Sequence, residues 1–171
     1  MAVCTSLGWT ASLTRRYLAS QSVTLTNSMT MTTTGRPIVE VAVGVLIEKN
    51  GSVLLGQRPD GKPFAGYWEF PGGKIEQGET LFQALHRELV EEIDVAIHDA
   101  EEFMTIEHDY PHAYVRLHVC LVRQWSGEPR GLENQSLAWL DSLKLSDVDH
   151  FSLQPILPAT LPILKKLQEI I

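Results

Sequence analysis

The stretch ETLFQALHRELVEEID, residues 79–94, constrains the fold more than any other part of the chain. Thr80 followed three residues later by Gln83 has the pattern of a capping box, which predicts a helix opening there and running to about Ile93. Phe82, Leu85, Leu89 and Ile93 recur at helical spacing and should face a core. At 100° per residue, Glu88, Glu91 and Glu92 share an arc of roughly 100° beside that stripe, with Glu92 on the border. A solvated face would put its charges opposite the core, and carboxylates at this spacing repel by roughly 0.2–0.5 kcal/mol per pair. Hard cations such as Mg²⁺ take oxygen ligands from carboxylates and substrate phosphates together, so a metal site would offset the repulsion. A solvated acidic helix with an ordinary Arg87–Glu91 ion pair is the alternative these spacings leave open.

Everything around this helix reads as strand and turn. IVEVAVGVLIEKNGSVLLGQR (38–58) is two β-rich runs joined by Asn50-Gly51, the pair that suits a hairpin turn. GYWEF is a short strand and PGGKIEQG a loop in which Gly72 and Gly73 let backbone approach a ligand. EEFMTIEHDYP and AYVRLHVCLVRQW predict two strands around a proline turn, SGEPRG a loop, and LAWL a short strand. PATLPILKKLQEI predicts a closing amphipathic helix with Leu161, Leu164 and Leu167 on one side. Strands and helices mix without regular alternation, so helices packed on a mixed sheet are expected.

Composition limits the functions open to this chain. Its 171 residues suffice for one domain with a real core. No apolar run reaches the roughly 18–20 residues needed to cross a bilayer, so no membrane partner is expected. Cys4 and Cys120 lie far apart and make no disulfide framework, which fits a reducing compartment such as the cytoplasm. A formal charge of −7 argues against a general nucleic-acid binder, yet admits a small anionic substrate if bound cations reverse the local sign. Residues 1–36 differ from the remainder: they hold no Asp or Glu, are dense in Ser and Thr, and carry only Arg15, Arg16 and Arg36 as charges. This composition also suits an organelle transit peptide, and Met29 or Met31 could be the true start. We expect a dispensable, disordered tail over 1–36 and one domain over 37–171.

Gly73, five residues, Glu79, seven residues, then Arg87-Glu88-Leu89-Val90-Glu91-Glu92 resembles the signature of the Nudix hydrolases. VAVGVLIEKNGSVLLGQRP, WEFPGGKIEQGET, GEPRGLENQ and LPATLPILKKL are similar to the MutT-like branch, so the resemblance runs from about Val39 to Leu167. It implies an α+β fold, an α/β/α sandwich around a mixed sheet. It also implies a Mg²⁺- or Mn²⁺-dependent hydrolase of phosphoanhydride bonds, cleaving oxidised purine nucleoside triphosphates such as 8-oxo-dGTP to monophosphate and pyrophosphate. The partner is then a small nucleotide, with a role in nucleotide-pool sanitation; separately, a monomer is expected. By position, Glu88, Glu91 and Glu92 would be metal ligands, joined by the carbonyl of Gly72 or Gly73, while Arg87 and Glu79 would orient the ligating carboxylates. Glu133 would bind metal or activate water, so the general base is Glu133 or Glu88. Arg58 would hold the triphosphate, and Phe70 and Tyr110 would flank the base.

Two positions depart from the family pattern. Asp94 replaces the glycine two residues after the last glutamate; a left-handed helix end there costs about 1 kcal/mol more without glycine, and its charge opposes the helix dipole. Thr160 stands where MutT-like relatives carry an asparagine that reads the purine, and one hydroxyl cannot reproduce paired amide bonds. CTP, ADP-ribose or general nucleotide pyrophosphatases are therefore the rival enzymes, and a non-catalytic nucleotide-binding module is the rival of another class. His108, His112 and His118 lack zinc spacing and are expected to be incidental; Trp68, Trp125 and Trp139 are expected in the core or at its rim.

Overall fold

Strand patterns dominate the sequence on both sides of one strongly amphipathic helix, and the computed structural model, which describes residues 31–32, 35–141 and 153–171, arranges them as a mixed main sheet between two helices with two smaller antiparallel sheets. In chain order the elements are β1 (Ile38–Leu46), β2 (Val53–Gln57), β3 (Trp68–Glu69), β4 (Gly72–Lys74), α1 (Leu81–Ile93), β5 (Ala96–Ile97), β6 (Glu101–Asp109), β7 (Tyr114–Val122), β8 (Trp125–Ser126), β9 (Leu137–Leu140) and α2 (Thr160–Leu167). The main sheet runs β4-β1-β7-β6; β1 is parallel to β7 and antiparallel to β4, and β6 is antiparallel to β7. A second, antiparallel sheet runs β3-β2-β9, and β5 pairs with β8.

Alternation along β1 and β7 assigns a helix to each face of the main sheet. Val43, Val45, Val119 and Leu121 pack in one cluster with Ile163, Leu164 and Leu167 of α2. Ala42, Leu46, Cys120 and Val122 pack in another with Leu85, Leu89 and Ile93 of α1. The result is the expected α/β/α sandwich. Gly44 sits under α1, where a Cβ would lie 3.1 Å from a Leu89 methyl, so the helix can approach the sheet closely.

Four local expectations need correction. β1 and β2 do not form a full hairpin: they meet only at the Ile47–Val53 bridge and then diverge into separate sheets, although the turn at Asn50-Gly51 is present. The loop expected over PGGKIEQG contains strand β4, whose Gly72 and Gly73 pair with Val43 and Ala42. Phe82 is exposed and lies over His86, while Leu81 packs against the α1 core cluster beside Ala84 and Leu85. In α2 the buried side is Thr160, Ile163, Leu164 and Leu167, spaced i, i+3, i+4 and i+7, and Leu161 faces outward.

Residues 1–30 and 33–34, with Cys4, Arg15, Arg16 and most of the expected tail, lie outside the described residues. Within the described part of that segment, Arg36 forms an ion pair with Asp109 and donates to the carbonyl of Tyr110. Among the described residues no helix is long and apolar enough to cross a membrane.

Candidate active site

Helix α1 begins as its sequence demands. The Thr80 hydroxyl accepts from the Gln83 N–H at 3.3 Å, and the Gln83 side chain accepts from the Thr80 N–H at 2.9 Å. It ends at Asp94 with φ 60° and ψ 35°, the left-handed turn that ordinarily favours glycine. Its Oδ2 lies 2.6 Å from Arg130 Nη2, so a cation sits beside the negative charge at the helix C-terminus. The loop after β8 docks on the same end: Leu132 N–H and the Gln135 side-chain amide donate to the Glu92 carbonyl at 2.9 and 2.8 Å. That docking delivers Glu133 to the site.

Between the main sheet, α2 and the loop leading to β3 lies a cavity of about 690 Å³. At one end it is lined by Glu88, Glu92, Glu133, Gly72 and Gly73, and at the other by Phe70, Tyr110, Thr160 and Ala159, with Arg58 between. Nine of the candidate site positions read from the sequence thus share one volume, although they span more than a hundred residues of chain. Glu79, Arg87 and Glu91 are not on its lining.

The hydrogen bonds at the acidic end explain the arrangement. Arg87 grips Glu79 with two bonds, Nε to Oε1 at 2.8 Å and Nη2 to Oε2 at 2.9 Å. The same guanidinium donates to Glu88 at 2.7 Å and to the Lys74 carbonyl at 3.0 Å, tying α1 to β4. Hydrogen bonding to Arg87 holds the Glu79 carboxyl down at about 2. Glu91 is 59% exposed and reaches only the edge of Arg87, at 3.4 Å. Glu92, on the border between core and solvent, accepts from the Gly72 N–H at 3.0 Å. Burial, with the carboxylates of Glu133, Glu69 and Glu88 nearby, pushes it up to about 7.

Among the described residues, no group of three His, Cys, Asp or Glu side chains converges closely enough to hold a metal ion. Glu88, Glu92 and Glu133 instead have separate partners: Arg87 for Glu88, the Gly72 amide for Glu92, and Lys62 for Glu133 at 2.5 Å. The donor set is nevertheless that of a hard cation, all carboxylate and backbone oxygen. It also has a shaped cradle: a Cβ on Gly73 would lie 2.2 Å from the Glu88 carboxyl carbon, so that carboxylate occupies the space glycine leaves. These residues fit a divalent metal.

The opposite end is aromatic. Tyr110 is buried, its hydroxyl accepts from the Ala159 N–H at 3.4 Å, and burial raises its pKa above the ordinary tyrosine value. Phe64 and His112 stand 5.3 and 5.5 Å from the Tyr110 ring. Phe70 belongs to the core while reaching the lining, and Thr160 is buried at the start of α2. Arg58 is held by Glu69 Oε1 at 2.5 Å and by the Pro63 carbonyl at 2.7 Å. Glu69, its burial raising the pKa, was not singled out from sequence; a carboxylate inside the strand run WEF was the available signal. Phe64, His112 and Lys62 were missed as site residues too, since only the fold brings their loops to the cavity. His108 flanks Tyr110 at 4.2 Å, and His118 lies elsewhere, bonded to Glu40 at 2.7 Å. Trp68 is buried, and Trp125 stacks on a partly exposed Trp139, as expected for core and rim.

The NUDIX domain family matches residues 42–156, most of the described chain. An 8-oxo-dGTP diphosphatase of Escherichia coli (strain K12) is 35% identical over 132 residues, covering 77% of this chain and 98% of that protein. A CTP pyrophosphohydrolase of the same strain is 35% identical over 128 residues, covering 75% of this chain and 90% of its own length. The MutT NUDIX hydrolase from Burkholderia pseudomallei superposes with a TM-score of 0.66 at 27% identity, covering 75% of this chain and 97% of that one. By fold, by the spacing of its acidic helix and by these matches, the chain belongs to the Nudix hydrolase family.

Proposed function

We propose that this protein is a divalent-metal-dependent nucleoside triphosphate pyrophosphohydrolase that removes 8-oxo-dGTP from the nucleotide pool. The carrying observation is one cavity of about 690 Å³ whose lining joins hard-oxygen carboxylates, suited to a metal-bound polyphosphate, with aromatic faces suited to a base. The names of curated relatives support the same reading. We take Mg²⁺ as the ion, with Mn²⁺ as a substitute, and the cytoplasm as the compartment, with the protein acting as a monomer.

Glu88, Glu92 and Glu133, with a Gly72 or Gly73 carbonyl, would hold the metal, and Glu91 would join them by turning from Arg87. When bound, the ion neutralises phosphate charge and favours in-line attack by water. Glu79 and Arg87 fix the Glu88 carboxylate against β4. Glu133 or Glu88 takes the proton of the attacking water, and Arg58 steadies the triphosphate. Tyr110 and Phe70 supply apolar faces for a purine, with Thr160 at the base edge.

A CTP-directed enzyme is the second reading, and Thr160 favours it, because a lone hydroxyl lacks the paired bonds that select a purine edge. A nucleotide panel assayed for monophosphate and pyrophosphate, with and without EDTA, tests the reaction type. Metal-dependent release of pyrophosphate supports it. Tight nucleotide binding without turnover would instead mark a non-catalytic module.

A further inference from the structure

Lys62 belongs to no motif of the chain, yet its ammonium stands inside the acidic end of the cavity. Its loop is closed without it: Arg58 N–H donates to the Tyr67 carbonyl at 2.8 Å, Gly66 N–H to the Arg58 carbonyl at 2.9 Å, and the Gln57 amide to the Gly66 carbonyl at 3.0 Å. Glu133 is also positioned independently, by Leu132 and Gln135 on the Glu92 carbonyl and by its own N–H on Gln135 Oε1 at 2.7 Å. The Lys62–Glu133 pair therefore spans two loops that are already fixed, and neither needs it to keep its place. With side chains 46% and 42% exposed, it contributes little to stability and exchanges readily. Glu133 and Glu92 both favour the charged ammonium, so the cation answers to the carboxylates that a divalent ion would use. Arg58, by contrast, is already engaged by Glu69 and the Pro63 carbonyl.

We propose that Lys62 is a tethered counter-cation: without metal its ammonium occupies Glu133, and when a divalent ion takes that carboxylate the ammonium moves onto the polyphosphate of the bound nucleotide. The flexible four-carbon stem and point charge of lysine suit such a transfer, which a planar guanidinium makes less freely. This rests on the metal-dependent reading above. The exchange keeps an opposite charge against Glu133 in both states and adds a phosphate contact only in the loaded one.

The test is a Mn²⁺ titration of the nucleotide-free protein, following the spectrum of the free ion, for wild type, Lys62→Met, Glu133→Gln and the double variant. Lys62→Met should bind Mn²⁺ about three- to tenfold more tightly, since the ion no longer displaces a cation from Glu133. In the Glu133→Gln background the gain should vanish. No gain, or an equal gain in both backgrounds, overturns the exchange. With saturating Mg²⁺, Lys62→Met should raise KM for the nucleotide about fivefold with kcat within about twofold, and Lys62→Arg should recover most of the loss. An unchanged KM overturns the phosphate contact. Lys62→Gln gives a second neutral variant for both measurements. If the wild type cleaves no nucleoside triphosphate, the enzymatic reading fails, while the Mn²⁺ cycle still decides whether Lys62 and the ion compete for Glu133.

Discussion

Glu91 and Glu92 are adjacent in sequence but stand in different solvents, and their behaviour should separate accordingly. Glu91 is exposed and makes one long contact, so Glu91→Gln should alter folding stability by less than about 0.5 kcal/mol. If it turns into the metal site, the same change should remove most turnover, read at limiting Mg²⁺; near-normal activity would exclude it as a ligand. Glu92 is pushed up to about 7 from an ordinary 4.5, chiefly by burial. The folded state then holds a proton that the unfolded chain has released between those values. Its contribution is fully present below about 4.5 and lost as pH rises through about 7, so urea melts in EDTA should show wild-type stability falling across that window relative to Glu92→Gln. A constant difference between the two proteins would contradict this assignment. Glu79 has the opposite sign: held at about 2 by Arg87, it stabilises above 4.5 and is lost only as pH falls through about 2.

At the scale of elements, the seam between β4 and α1 sets how close backbone and carboxylate can come. A Cβ on Gly72, whose φ is 144°, would lie 2.1 Å from the Ala42 carbonyl oxygen, and that backbone cannot easily yield. On Gly73 the obstacle is the Glu88 carboxylate, the far end of a flexible side chain. Gly72→Ala should therefore cost about 2–4 kcal/mol in stability. Gly73→Ala should melt near the wild type but lose activity at least about tenfold, because Glu88 is displaced. Equal melting losses for the two would show that the seam relaxes as a unit. At the other end of the helix, Asp94→Ala should cost about 1–2 kcal/mol, through a left-handed alanine and the lost Arg130 pair, with little effect on kcat.

The helix was legible down to its cap because Thr80, Gln83, Asp94 and the apolar spacing are local signals. Phe82 was misread because spacing ignores where a helix leaves the sheet: the first turn needs one apolar contact, and Leu81 supplies it. Leu161 failed similarly, since three apolar residues at i, i+3 and i+6 fit a helix face less well than the set containing Ile163.

For the whole molecule, what could not be read was the partition of strands between sheets. Asn50-Gly51 announces a tight turn, but whether the flanking strands stay paired depends on β7 and β9, which lie sixty or more residues away and claim their edges. The candidate site shows the same division. Its acidic half is dense in sequence and was recognised by resemblance, whereas Lys62, Phe64, Glu69 and His112 reach the cavity only through loops placed by that strand order. Thr160 is legible in sequence, but its effect depends on a buried position at the start of α2. A site that pairs with a substrate group discriminates by several kcal/mol, while shape and stacking supply about 1–3 kcal/mol, so Thr160→Asn should widen purine selectivity and leave dCTP hydrolysis nearly unchanged. The most direct test of the central claim is kcat/KM for 8-oxo-dGTP, dGTP and dCTP with the wild-type protein. An oxidised-purine pyrophosphohydrolase should favour 8-oxo-dGTP over both by about tenfold or more, whereas equal values for all three would contradict that reading and leave a general nucleotide pyrophosphatase.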